Sequence, residues 1–265
     1  MKQKSIVNYR LGDSSATLKY LEWDSGIFGF KIGRIEKIRL AGSDNVNESL
    51  IRRVLEDCRV ACYRHINCRV GVNDLAGLRA FENNGFNVAD IQITLSTMSR
   101  PMAGRTALPG FVFIKASGND LRQIRKVTRN AFTDTRVVRD PNYPRKKIDE
   151  FYYEWVKNSV FNKKQVVFLA KDSRTGVVAG FVICGVLKRT GLIDLISVNR
   201  ARRGLGIGRA LVARAMEWFS DKTDKAEVRT QISNAAAIEV FMKGGYKFIT
   251  PGSVLPAGIS MHYWY

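Results

Sequence analysis

Gly204, Gly206 and Gly208 stand at alternate positions between Arg203 and Arg209, after the apolar run LIDLISV and before the helix-like IGRALVARAMEWF. A strand, a glycine-rich turn and a helix start together expose backbone N–H groups that attract an anion. A dinucleotide, a nucleoside triphosphate and coenzyme A can all use such a place. A dinucleotide fingerprint would need a third glycine where Arg209 stands, and an acid after the next strand where the chain has Gln231 and Ser233. A nucleoside triphosphate loop would need lysine and then serine or threonine after its glycines, but Gly208 is followed by Arg209 and Ala210. What remains is Arg203-Gly204-Leu205-Gly206-Ile207-Gly208, in the pattern R-x-x-G-x-G.

Cys58, Cys62, His65 and Cys68 form the other cluster of chemistry-bearing residues, and the first three share a face if residues 48–64 are helical. Zinc sites favour tighter paired spacings, so these cysteines are read as small buried apolar side chains and no metal is expected. With Cys184 they make four in 265 residues, which is no disulfide framework. His65 and His262 support no claim of a nucleophile.

The elements that must hold the loop follow from periodicity. Arg100 to Gly110 carries two prolines and two glycines, and reads as a linker over 101–110 between an N-terminal domain (1–100) and a C-terminal domain (111–265). After it, FVFIKAS reads as a strand. NDLRQIRKVTRNAF reads as a helix capped by Asn119 or Asp120, with Leu121, Ile124, Val127 and Ala131 on one face. QVVFLAK and VVAGFVICGVL flank a hairpin turn at Asp172 to Gly176. LIDLISV is the next strand, and the chain closes with AEVRTQIS, the helix NAAAIEVFMKGG, and strands YKFIT and ISMHYWY. The order is that of a mixed α/β layout.

A repeat ties the two halves together. Residues 68–86 align without gaps on 228–246, so that Arg69, Ala76, Phe81 and Gly85 fall on Arg229, Ala236, Phe241 and Gly245. No glycine loop precedes the first unit of the repeat, so the C-terminal domain is expected to hold the ligand.

With LIDLISV before it and Asn234 and Gly245-Tyr246 after it, the R-x-x-G-x-G loop resembles the pyrophosphate loop of the GCN5-related N-acetyltransferases (GNATs). The stretches LEWDSGIFGFKIGRI (21–35) and FTDTRVVRDPNYPRKKIDEFYYEWVKNSV (132–160) are similar to segments of the TDP-fucosamine acetyltransferases, in which a partial acetyltransferase fold precedes a complete one. The resemblance implies a mixed-sheet α/β GNAT fold with a partial GNAT-like N-terminal domain, and acetyl-CoA as cosubstrate. It implies that Arg203, Gly204, Leu205, Gly206, Ile207, Gly208 and Arg209 hold the pyrophosphate. Ile196, Ser197 and Val198 would line the pantetheine arm, the Ile196 N–H would meet the oxyanion, and Asn234 would bond the cofactor near its thioester. Asp194 takes the place of a base acting through water, and Arg136, Arg139 and Tyr143 lie in the segment that borders the acceptor.

The chain departs from the family at one position. A tyrosine seven residues after the asparagine usually protonates the leaving thiolate, and here that residue is Phe241. Water, a tyrosine from elsewhere such as Tyr263 or Tyr246, and loss of activity all stay open. The implied reaction is acetylation of a nucleotide-linked amino sugar or similar small amine. A protein or other small-amine acceptor, or a non-catalytic coenzyme A-binding protein, are the alternatives.

A formal charge of +19 suits an anionic acceptor, while the scatter of lysines and arginines among acids disfavours nucleic acid. No apolar run is long enough for a membrane span and no apolar segment follows the basic start, so a cytoplasmic location is expected. A homodimer is left open.

Overall fold

Among the described residues, twelve strands and eight α-helices follow one another. The first are β1 (Ile6–Leu11), β2 (Ser14–Tyr20), α1 (Glu22–Phe28), β3 (Ile32–Arg39), α2 (Asp44–Val60), β4 (His65–Gly71), α3 (Leu75–Asn83) and β5 (Asn87–Met98). Then come β6 (Phe111–Lys115), α4 (Leu121–Thr128), α5 (Arg136–Arg139), α6 (Arg145–Phe161), β7 (Gln165–Asp172), β8 (Val178–Leu187) and β9 (Thr190–Val198). The last are α7 (Ile207–Phe219), β10 (Lys225–Gln231), α8 (Ala235–Lys243), β11 (Lys247–Phe248) and β12 (Gly258–Trp264). These come from a computed structural model that describes residues 5–99, 107–248 and 257–265. Most of the expected linker, residues 101–106, lies outside the described residues, as does the end of the expected strand YKFIT.

The chain divides into two units. The first takes its residues from Met1–Gln92, Arg139–Lys147 and Ala257–Tyr265, the second from Ile93–Val138 and Ile148–Pro256. This differs from a cut at the linker: β5 ends in the second unit, and the last strand, β12, belongs to the first. Backbone pairing explains the difference. On one side β12 runs antiparallel to β4 from Gly258↔Gly71 to Trp264↔His65, and on the other it pairs with the first half of β5.

In the first unit the strand order is β1-β2-β3-β4-β12-β5. Helix α2 presents Leu50, Ile51, Val54, Leu55 and Cys58 to a core that includes Leu18, Ile35, Ile66 and Cys68. The spacing of these α2 residues is that of one helical face. The expected helix over 48–64 stops at Val60. Cys62 follows it with φ of +58° and is exposed, while His65 already begins β4, so Cys58, Cys62 and His65 do not share a helical face. Cys58 and Cys68 are buried as expected.

In the second unit the order is β5-β10-β9-β8-β7-β6, with β11 antiparallel to β5 at Lys247↔Ser96 and Phe248↔Leu95. Helix α7 lays Ile207, Leu211, Ala215, Met216 and Phe219 on Ile193, Ala226 and Val228 of the sheet. Ile124 and Val127 of α4 and Val156 of α6 pack with Val167, Phe181 and Ile183 in a separate cluster. A 3-10 turn at Gly118–Asp120 leads into α4 and is closed by a capping box, with the Ser117 N–H and hydroxyl both donating to Asp120 Oδ2 at 2.9 Å, while Asp120, the N-cap of α4, makes no side-chain cap bond to that helix. The β7–β8 turn closes through the Gly176 N–H to the Asp172 carbonyl at 2.8 Å.

The internal repeat is structural. In β4–α3 the Asp74 carboxylate accepts the Gly77 N–H at 2.8 Å, and in β10–α8 the Asn234 side chain accepts the Ala237 N–H at 3.2 Å. Each helix ends at a glycine in the left-handed region, Gly85 at φ +84° and Gly245 at +83°. Phe86 N–H then returns to the Phe81 carbonyl and Tyr246 N–H to that of Phe241, both at 3.1 Å.

Candidate active site

Strands β9 and β10 run parallel for only four pairs, from Thr190↔Lys225 to Ile193↔Val228. Beyond that point the ladder between them stops, although β9 continues to Val198 and β10 to Gln231. The other edge of β9 stays paired with β8 through Val198↔Gly180. The Asn199 N–H bonds the Ala179 carbonyl at 2.8 Å. Alternation along the ladder therefore turns the polar groups of Ser197 toward β8 and those of Ile196 and Val198 toward the diverging edge. That edge is what an extended amide chain needs in order to add as a strand.

A bulge sits at the point of divergence. Ile183 pairs with Leu195 and Cys184 with Ile193, so Asp194 is the extra residue on β9. Bulges re-aim side chains, often beside functional sites. Half-buried, the Asp194 carboxylate accepts from Gln165 Nε2 at 2.7 Å. Burial raises its pKa above the ordinary carboxylate value, and the Gln165 hydrogen bond works against that rise. The Cys184 thiol beside it is pushed up well above its ordinary value by burial.

From Val198 the chain turns through Asn199, whose side chain accepts the Ala201 N–H at 3.0 Å, into a single 3-10 turn at Arg200–Arg202. Gly204 and Gly206 both adopt φ of +81°, a conformation costing other residues about 1–2 kcal/mol. Gly206 is the N-cap of α7, so the N–H groups of the first turn stay open to an anion at the helix's positive end. Leu205, Arg203 and Arg209 are exposed around the loop, Arg203 Nε donates to the Val198 carbonyl at 3.4 Å, and Arg202 pairs with Asp172 at 3.4 Å. Gly208 has ordinary helical geometry with Val240 3.7 Å from where a Cβ would lie.

The Asn234 side-chain oxygen caps α8, so its first role is structural. Phe241 and Tyr246 are both 1% exposed in the core, ring centroids 5.5 Å apart, and the Tyr246 hydroxyl donates to Met216 Sδ at 3.2 Å. Burial raises the Tyr246 pKa strongly, which leaves it a weak acid. Tyr263, expected on the C-terminal strand of the complete domain, belongs to the first unit. Its ring packs 5.4 Å from Phe86 and 4.9 Å from Tyr265.

Arg136 is half-buried in the second unit, whereas Arg139 and Tyr143 belong to the first. Tyr143, expected at the acceptor, is 2% exposed among Phe28, His65 and Trp264, and is a core residue instead. The bulge at Asp194 and its partner Gln165 were not legible in sequence, because bulge and partner are set by the pairing of β7, β8 and β9.

Residues 124–246 match the acetyltransferase (GNAT) family model. The spore coat polysaccharide biosynthesis protein SpsD of Bacillus subtilis (strain 168) is 27% identical over 128 residues, 48% of this chain and 44% of that protein. The chain thus spans less than half the length of this relative. A GCN5-related N-acetyltransferase from Sphaerobacter thermophilus is similar in fold, with a TM-score of 0.67 at 14% identity over 94% of this chain and 76% of that one. So is a tandem GNAT protein from the clavulanic acid biosynthesis pathway, with a TM-score of 0.67 at 12% identity over all of this chain and 85% of the other. Residues 124–246, which carry the glycine loop and the diverging strands, are the part of the chain that is similar to the GNAT acetyltransferase family.

Proposed function

We propose that the chain is an acetyl-CoA-dependent N-acetyltransferase that acetylates the amine of a nucleotide-linked amino sugar or a similar small amine. The observation that carries this reading is the end of the β9–β10 ladder at Ile193↔Val228, with the outward-facing edge of Ile196 and Val198 followed, after the turn at Arg200–Arg202, by the left-handed Gly204 and Gly206. An extended chain ending in a pyrophosphate fits that sequence of features: Ile196 and Val198 take the pantetheine amides, and Arg203 to Arg209 take the pyrophosphate.

Bound there, acetyl-CoA supplies a thioester as acyl donor. The Ile196 N–H donates to the carbonyl oxygen as it gains charge. Asp194, at the bulge, takes a proton from the acceptor ammonium through water, a role its raised pKa suits. With Phe241 and Tyr246 closed into the core, the thiol leaves as thiolate and collects its proton from solvent. An ordinary thiol pKa of about 8.5 makes that tolerable.

The acceptor class rests on the similarity to the TDP-fucosamine acetyltransferases, on the name of SpsD as a polysaccharide biosynthesis protein, and on the net charge of +19. Arg136, in the second unit, is the candidate for its diphosphate. A thiol-release assay with anionic nucleotide-linked amines and cationic amines side by side tests this reading. Preference for the anionic set supports it, and preference for the cationic set contradicts it.

A further inference from the structure

His65, Asp140 and His262 are remote in sequence and meet inside the first unit. His65 opens β4, Asp140 lies in the Arg139–Lys147 stretch, and His262 is on β12. None is more than 8% exposed, and their donor atoms all lie within 4.8 Å of one another. We propose that these three side chains bind a first-row divalent cation of the zinc type.

The donor set selects the class of ion. Two imidazoles and one carboxylate suit zinc and its neighbours, whereas magnesium and calcium prefer oxygen alone. The spacing is close to what coordination requires. His262 Nδ1 and Asp140 Oδ2 are 2.6 Å apart. Around a tetrahedral zinc with bonds of about 2.0–2.2 Å, neighbouring ligand atoms stand roughly 3.3 Å apart. A small opening of that pair, with a rotation of the His65 ring, would bring all three onto one ion.

The outer contacts also fit. Trp264 Nε1 donates to Asp140 Oδ2 at 2.7 Å, and Asn142 donates to Asp140 Oδ1 from its backbone at 3.0 Å and its side chain at 3.2 Å. The Tyr143 hydroxyl lies 3.3 Å from His65 Nδ1. In the tautomer that donates from Nδ1 to Tyr143, His65 carries its lone pair on Nε2, the arrangement outer partners enforce on metal-bound histidines. Tyr143, Trp264 and Phe30 surround the group, which points to a structural ion rather than one that handles substrate. His65 and Trp264 face each other in the β4–β12 register, so the ion would clip the chain's last strand into the first unit.

The test needs no acetyl-CoA and so is independent of the acetyltransferase reading. The full chain carrying Cys62→Ser, to remove the exposed thiol, is stripped with a chelator and titrated with Co²⁺ while its visible spectrum is recorded. The expected result is one equivalent bound with the d–d absorption of a tetrahedral site, displaced by Zn²⁺, and a rise in Tm on adding Zn²⁺. His262→Gln and Asp140→Asn should each abolish that spectrum. Folded Cys62→Ser protein that binds neither ion, with Tm unmoved by Zn²⁺ or chelator, would show a purely hydrogen-bonded cluster and overturn the proposal. So would a Co²⁺ spectrum that persists in either folded variant. The Cys62→Ser titration decides even if the histidine and aspartate variants do not fold.

Discussion

The Gln165 side-chain amide donates to the Asp194 carboxylate at 2.7 Å, across from the bulge that makes Asp194 the extra residue of β9. The bond favours the ionised carboxylate, whereas burial favours the neutral one and prevails. If Asp194 is the base, activity requires its ionised form. The rate should therefore fall as pH drops through a value above the usual carboxylate range. Gln165→Leu removes the opposing bond, so the acid limb of kcat/KM should move to still higher pH while the plateau is kept. A limb that does not move would separate Asp194 from the chemistry.

Asp194→Asn should lower kcat by about 100-fold or more, the scale of a placed general base. Stability should respond in the opposite sense. A carboxyl whose folded pKa is raised stabilises the fold at low pH, and that contribution is lost as pH rises through the folded value. The Asn variant should accordingly melt no lower than wild type at pH 7, with any advantage vanishing in acid. A large loss of Tm at pH 7 would mark Asp194 as structural.

At the loop, the backbone separates two glycines. Gly206→Val meets Leu108 only at ordinary contact distance, 3.5 Å, but forces a branched residue to φ of +81°. It should cost about 1–2 kcal/mol of stability or more and weaken acetyl-CoA binding over tenfold. Gly208→Ala should leave stability nearly unchanged, since its Cβ would lie 3.7 Å from Val240 in ordinary helical backbone. Calorimetry of the two variants checks the contrast.

Phe241→Tyr would place a hydroxyl in the core beside Tyr246 and Met216. We expect a loss of about 1–3 kcal/mol, the cost of a buried polar group without a partner, and little change in kcat. Tyr246→Phe should also leave kcat unchanged. A rise of kcat by an order of magnitude in Phe241→Tyr would show that the missing acid limits the natural protein.

Much of the second unit was legible because its signals are local. The alternate glycines, the apolar strand before them and the periodicity of 207–219 placed β9, the loop and α7, and the boundaries of α7 are Ile207–Phe219 as its pattern implies. The repeat of 68–86 on 228–246 also persists, down to the caps at Asp74 and Asn234. What stayed hidden depends on remote pairing. Nothing in ISMHYWY says that this strand lies between β4 and β5, which removes Tyr263 from the second unit and joins His262 to His65. Tyr143 sits in a basic, polar stretch that gives no hint of its burial among aromatic rings contributed by β4 and β12.

The central claim is acetyl transfer at the divergence of β9 and β10. Its most direct test is to incubate the wild-type protein with acetyl-CoA and a panel of nucleotide-linked amino sugars, measuring thiol release and acetylated product together by mass spectrometry. The account predicts equal amounts of free coenzyme A and N-acetylated nucleotide sugar, with turnover reduced about 100-fold or more by Asp194→Asn. Tight binding of acetyl-CoA with no thiol release and no acetylated product for any amine tried would contradict it.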